Sequence, residues 1–183
     1  MPSTYSNLGI ELIASGDQAG TWGTTTNTNL GTLIDQAISG YTTTACTGGT
    51  DTITIPNGAT GVARNMFLEL TGTGGGSLVV PTNKKLYFIY NNTAGAITVK
   101  VTTGVSVPAG AKTVLVCNGT DIVVAVNYLA SLTVGGALGV TGATTLSSTL
   151  AVTGATALSS TLAVTGITTV AAGSAALPAI VST

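Results

Sequence analysis

From residue 129 onward the chain repeats itself every twelve residues, and this period limits the possible folds more than any other feature. Residues 141–152 read TGATTLSSTLAV and residues 153–164 read TGATALSSTLAV, one Thr-to-Ala change apart. Residues 129–140 and 165–176 are looser copies in the same frame. Self-similarity at a fixed period marks a stacked or fibrous architecture. The large apolar residues fall almost entirely on even numbers: Leu132, Val134, Leu138, Val140, Leu146, Leu150, Val152, Leu158, Leu162, Val164 and Val170. The odd positions between them hold Thr, Ser, Ala or Gly, with Ile167 a large exception. Such alternation is the period of a strand with one buried face, whereas a helix needs spacings of three and four. Gly142, Gly154 and Gly166 recur once per repeat, where a bend costs least.

One such stripe cannot fold alone. Each repeat offers three large side chains. At roughly 25 cal/mol per Å² of buried apolar surface, they fall short of about 1–2 kcal/mol of backbone entropy per ordered residue. The stripe must therefore bury against copies of itself, within one chain or across chains. From Ile122 onward the sequence has no charged residue, so nothing on this segment opposes self-association or protects a strand edge. The expectation is an intertwined homo-oligomeric β shaft with a core of Val134, Leu138, Val140, Leu146, Leu150, Val152, Leu158, Leu162 and Val164. The plainer alternative is a flexible Ala/Thr/Ser linker. A random linker, however, has no reason to hold apolar parity across three repeats.

Composition narrows the function classes. Charged residues make up only 6% of the chain, glycine is abundant and aromatics are scarce, a structural rather than enzyme-like balance. There is no histidine, which removes the commonest general base and metal ligand. No enzyme activity, cofactor or metal is expected. The net charge of −1 leaves no footprint for nucleic acid or an anionic membrane. Cys46 and Cys117 can pair, but two buried thiols are the expectation. The N-terminus (MPSTYSNLGIEL) lacks the basic and apolar regions of a secretory signal. The apolar run at 122–126 stops at Asn127, and no run of eighteen apolar residues exists, so membrane insertion is not expected.

Three regions follow. Residues 1–40 contain a short strand candidate at 7–15, a turn-rich stretch around the only tryptophan, Trp22, and a helical pattern. Leu30, Leu33, Ile34, Ala37 and Ile38 recur at three and four, which gives one apolar face and a helix of about 26–39. Thr26 or Asn27 is the expected N-cap, and Gly40 the expected end. Residues 41–128 read as strands at 42–46, 51–55, 63–70, 77–80, 86–90, 96–101, 113–117 and 122–126, separated by turn residues. That spacing suggests a small β-sandwich or barrel, and the whole chain is expected to be all-β apart from the helix. Residues 129–183 form the shaft.

The candidate sites are few. Residues 72–76 (GTGGG) imitate a phosphate cradle but lack the following Lys-Ser/Thr and a crossover helix, so a hairpin tip is expected. Lys84-Lys85 reads as a solvated strand entry rather than an anion site. Asn91-Asn92-Thr93 and Asn118-Gly119-Thr120 match the glycosylation pattern and read as turns. Asp17, Asp35, Asp51, Glu69 and Asp121 show no pairing on one strand face that a glycosidase would require. The stronger cluster is Trp22 with Asn27, Asn29, Leu30, Leu33, Ile34 and Ile38. It reads either as a cap on the unit's own core or as an N-terminal docking element, since Trp and aliphatic anchors are typical hot spots.

The stretch GTWGTTTNTNLGTLIDQAISG (20–40) is similar to the N-terminal region of tail-fibre proteins of tailed bacteriophages, especially those of marine and cyanobacterial hosts. KKLYFIYNNT (84–93) and AKTVLVCNGTDIV (111–123) resemble the domain that follows in those fibres, and TLSSTLAVTGAT resembles their β shaft. The resemblance spans essentially the whole chain, and its first motif is the most specific. It implies a homotrimer in the virion, assembled in the host cytoplasm. Residues 1–40 would be held by a tail protein (an adaptor, nozzle or baseplate component), and residues 41–128 would form a collar. A distal region beyond this chain would meet the host surface receptor. The alternative is a capsid fibre or decoration protein.

Overall fold

The computed structural model describes residues 2–166. The chain divides into two units, Met1–Leu132 and Thr133–Thr183. Val170 and the rest of the chain from Ile167 lie outside the described residues.

In the first unit, alternating Val, Ile, Leu, Tyr and Thr build most of the strands. The N-terminal part holds β1 (Thr4–Tyr5) and β2 (Glu11–Leu12), a two-residue antiparallel ladder where the sequence suggested one strand over 7–15. A helix follows in three pieces: α1 (Trp22–Thr28), a π-helical turn (Asn29–Ile34) and α2 (Asp35–Ile38). The strands are β3 (Tyr41–Cys46), β4 (Thr50–Thr52), β5 (Phe67–Gly72), β6 (Ser77–Val79), β7 (Lys85–Asn91), β8 (Ile97–Lys100), β9 (Val105–Val107), β10 (Lys112–Cys117) and β11 (Ile122–Val124). A 3-10 turn at Val62–Arg64 precedes β5, inside the stretch expected as strand from 63.

The topology is coiled. A five-stranded sheet runs β11-β10-β7-β5-β3 and a four-stranded sheet runs β4-β6-β8-β9. β3, β5 and β7 pair parallel in the first sheet, and β4, β6 and β8 pair parallel in the second. Each successive pair of strands therefore makes one turn of a coil, passing from one sheet to the other. β9 then pairs antiparallel with β8, and β10 with β7, so the chain reverses and closes the stack. Both sheets send their inward residues into one core. Leu68, Leu70, Tyr87, Ile89 and Leu115 come from the larger sheet, and Leu78, Ile97, Val99 and Val107 from the smaller.

The GTGGG stretch is thereby corrected. It joins β5 in one sheet to β6 in the other, so it is a corner of the coil and not a hairpin tip. The corners stack by backbone hydrogen bonds: Ser77 N–H donates to Gly49 O at 2.8 Å and Thr98 N–H to Gly76 O at 3.1 Å. Gly76 has φ of 72°, and a Cβ there would overlap the backbone of Gly49. Glycine is required by both conformation and space. The next corner is held by Asn91, whose buried amide donates to Gly95 O and Val107 O, each at 2.9 Å.

Arg64 ties the N-terminal part to the coil. Its side chain is fully buried and donates to Leu8 O at 2.9 Å, Pro56 O at 2.5 Å, Gln36 Oε1 at 3.4 Å and Ala59 O. Carbonyl and amide oxygens satisfy this guanidinium, and burial lowers its affinity for the proton.

Within 133–166 of the second unit no strand forms and each residue is exposed. A strand needs a neighbour to bond with. The backbone nevertheless keeps the period: bends fall at Gly142, Gly154 and Gly166, and at 135–136, 147–148 and 159–160.

Candidate docking and assembly surfaces

The helix begins earlier than its sequence suggests. Thr26 and Asn27 lie inside α1, and Thr21 is its N-cap without a side-chain cap bond. Gln18 O starts the helix instead, accepting from Thr21 N–H at 2.9 Å and Trp22 N–H at 3.0 Å. The Thr- and Gly-rich first turns have poor helix propensity, and this local backbone turn starts the helix despite it. Gly40 follows the end as expected. A Cβ there would collide with Gln36 and Asn65, so the tight exit demands glycine.

The helix carries two adjacent stripes at a spacing of four. Asn29, Leu33 and Ala37 turn inward and are buried. Leu30, Ile34 and Ile38 lie beside them; Leu30 is 59% exposed, Ile38 63% and Ile34 half-buried. In an α-helix every fourth residue drifts forward around the axis, because a turn takes 3.6 residues. The wider π turn drifts the other way, so its insertion keeps both stripes straight. Trp22, two turns before Leu30 in the same spacing of four, is 62% exposed.

The residues singled out by sequence thus have different surroundings. Trp22, Leu30 and Ile38 are exposed apolar side chains, with Asn27 exposed on α1. Leu33 belongs to the interior. Asn29 serves the hairpin: its Nδ2 donates to Glu11 O at 2.8 Å, and its Oδ1 accepts from Glu11 N–H at 3.2 Å.

The shaft candidates are all exposed in the single chain. Val134, Leu138, Val140, Leu146, Leu150, Val152, Leu158, Leu162 and Val164 lie between 42% and 71% exposed.

The remaining candidates resolve into local structure. Lys84 is exposed, but Lys85 turns inward and donates to Asn65 O at 2.7 Å, over the Tyr87 ring at 4.0 Å. The solvated reading therefore holds for only one of the pair. Burial, with the Arg64 charge adding to it, lowers the Lys85 ammonium to a pKa of about 7. Asn118 Oδ1 accepts from Thr120 and Asp121 N–H at 2.9 and 3.0 Å, the turn its sequence suggested. Each of the five carboxylates singled out is engaged locally: Asp17 with Ser3, Asp35 with Ser39, Asp51 with Thr47, Glu69 with Tyr41 and Asn92, and Asp121 with the backbone at 101–104. At Asp121 burial opposes the charge. The N–H groups of Val101, Gly104, Thr103 and Ile122 overcome this and hold the carboxyl far below its usual range.

Cys46 and Cys117 are free and buried. They lie on β3 and β10, three strand spacings apart in the larger sheet. That is about 14 Å at the usual inter-strand distance, too far for a bond. Among the described residues no three of His, Cys, Asp and Glu gather where a metal could sit, and no helix is long and apolar enough to cross a membrane.

One surface escaped the sequence reading. The outer face of the five-stranded sheet lines up Tyr41, Phe67, Phe88 and Val114 in register across four strands. With Tyr90 and Lys112 they border a groove of 460 Å³. The signal was present in LYFIY of β7, which is apolar at both parities where a strand with one wet face alternates.

No protein-family model matches this chain, and comparisons with curated proteins and with solved structures give no match.

Proposed function

We propose that this chain is a non-enzymatic structural virion protein, one subunit of a homotrimeric tail fibre of a tailed bacteriophage. Residues 1–40 attach it to a tail adaptor, nozzle or baseplate protein. Residues 41–128 are a sandwich-like collar, and residues 129–183 begin a β shaft that carries a distal host-recognition region. The mechanism is mechanical: a held base and a stiff stem present three linked tips, so that weak contacts act together.

The observation that carries the reading is the period itself. Twelve residues separate both the sequence repeats and the backbone bends at Gly142, Gly154 and Gly166, while the even-numbered stripe stays uncovered in one chain. Three identical chains around one axis supply the missing cover for all copies alike. Two sheets over a single core suit a collar, and the exposed Trp22, Leu30 and Ile38 suit attachment.

Light scattering on the purified chain tests the assembly. A mass of three chains is expected, and a monomer or a stable dimer overturns the trimer. Fractionated virions test the place: this chain should travel with tails, and recovery on tailless capsids would assign it to a capsid fibre instead.

A further inference from the structure

The larger sheet of the collar presents an apolar outer face. Phe67 and Phe88, both of the chain's phenylalanines, stand on neighbouring strands with ring centres 4.8 Å apart. Tyr41 flanks them on β3 and Val114 on β10. A second row, Leu86, Val116 and Val123, runs beside them across β7, β10 and β11. Tyr41, Leu86, Phe88 and Val123 are exposed. Strands that are apolar at both parities belong to sheets covered on both faces. The inner face has its core, and the outer face has no cover among the described residues.

We infer that this face is covered by a second copy of the chain, the three collars turning their five-stranded sheets towards one common axis. The inference rests on the trimeric reading above and names the surface by which the collars meet. Three observations favour a second copy over other occupants. First, the polar groups at the rim are already taken. The Tyr41 hydroxyl donates to Glu69, Asn92 Nδ2 donates to Glu69 at 2.6 Å, and the Lys112 ammonium rests 4.7 Å from the Tyr90 ring centre. A small-molecule site keeps such groups aimed at its ligand. Second, Glu69 and Lys112 give the face one charge of each sign, so copies of it meet without like-charge repulsion. Third, the apolar surface continues along the chain. β11 is the edge strand of this sheet, and after it Val126, Tyr128 and Leu129 are exposed up to the start of the repeat. Shafts joined at that point hold neighbouring collars at an effective concentration in the millimolar range, well above that of any free partner.

Thiol labelling of the full chain tests this. Cys46 and Cys117 are buried, so a new cysteine reports its own surroundings. Leu86→Cys and Tyr41→Cys place the probe on the face, and Ser106→Cys places it on exposed β9 of the other sheet. In a trimer established by light scattering, a maleimide should label the two face positions at least tenfold more slowly than Ser106→Cys. Adding Phe88→Glu should remove that protection while the shaft keeps the trimer together. Equal labelling at all three positions of a trimer overturns the proposal and leaves the fibre reading standing. A monomeric chain overturns both. Protection that vanishes from a trimer ending at Gly166 assigns the cover to residues 167–183 and overturns the second copy.

Discussion

Asn29 pairs with Glu11 as a strand would, its side-chain amide donating to the Glu11 carbonyl at 2.8 Å and accepting from the Glu11 N–H at 3.2 Å. One residue of the helix therefore completes the edge of the β1–β2 ladder, whose partners are Thr4 with Leu12 and Tyr5 with Glu11. This side chain couples the N-terminal hairpin to the helix, beside a second link in which Gln18 donates to Glu11 and accepts from Thr25, and Leu33, one turn on, is fully buried.

The coupling predicts a split within one short motif. Asn29→Ala strands both backbone groups of Glu11 and should cost about 1–3 kcal/mol, the usual penalty for partly buried groups left unpaired. Asn27, two residues earlier and exposed, should tolerate alanine within about 0.5 kcal/mol. Urea unfolding of both variants checks this. Equal losses would mean that Asn29 does not hold the hairpin.

Attachment should depend on the outward stripe instead. Trp22→Ala and Leu30→Ala remove exposed anchors, so the melting temperature of the purified protein should stay within a degree or two of the parent. Central anchors typically cost about 2 kcal/mol or more on truncation, close to thirtyfold in affinity. Fibre occupancy on purified virions should therefore fall for both variants. A large drop in melting temperature with normal occupancy would return Trp22 to the role of a cap on its own core.

What the sequence discloses depends on how local the cause is. β10 reads directly from TVLVC, because a short β-rich run bounded by Lys112 and Asn118-Gly119 is a strand by propensity and turn chemistry alone. β9 was missed: Val105–Val107 is three residues long, follows Thr102-Thr103-Gly104, and is a strand only because β8 lies beside it. The parallel coil is invisible for the same reason. Alternation tells which side chains face the core, not which strand is the neighbour. The burial of Arg64 was equally unreadable, since its partners at Leu8, Gln36 and the Pro56–Ala59 loop come from three separate stretches. The aromatic face was legible in principle from LYFIY, once the strand was known to have a second side.

Lys85 gives the first unit a pH dependence in the alkaline range. Its ammonium is lowered from the ordinary 10.5 to about 7 by burial and by Arg64. Between those values the unfolded chain holds a proton that the folded chain has released. Stability on this group therefore rises with pH from about 7 to about 10 and levels off beyond it. The Asn65 carbonyl and the Tyr87 ring, whose hydroxyl burial pushes well above its usual value, also face this amine. Lys85→Met should flatten the rise in melting temperature over that window. An unchanged slope would place the amine in water.

The parity of the repeat makes the sharpest forecast for the shaft. Leu150 and Leu162 stand on the even stripe and Thr149 and Thr161 on the odd one, at equivalent places one period apart. If three chains bury the even face against one another, Leu150→Asp puts an unpaired carboxylate into the interior of each. An uncompensated buried charge costs about 3–5 kcal/mol, and here it is met three times around one axis. Thr149→Asp adds the same charge to the solvent side and should be tolerated within about 0.5 kcal/mol. Thermal unfolding and light scattering on both variants decide the matter. The Leu150 variant should lose its shaft transition or dissociate, and the Thr149 variant should match the parent. Equal losses would show that neither face is buried and that residues 129–183 act as a linker.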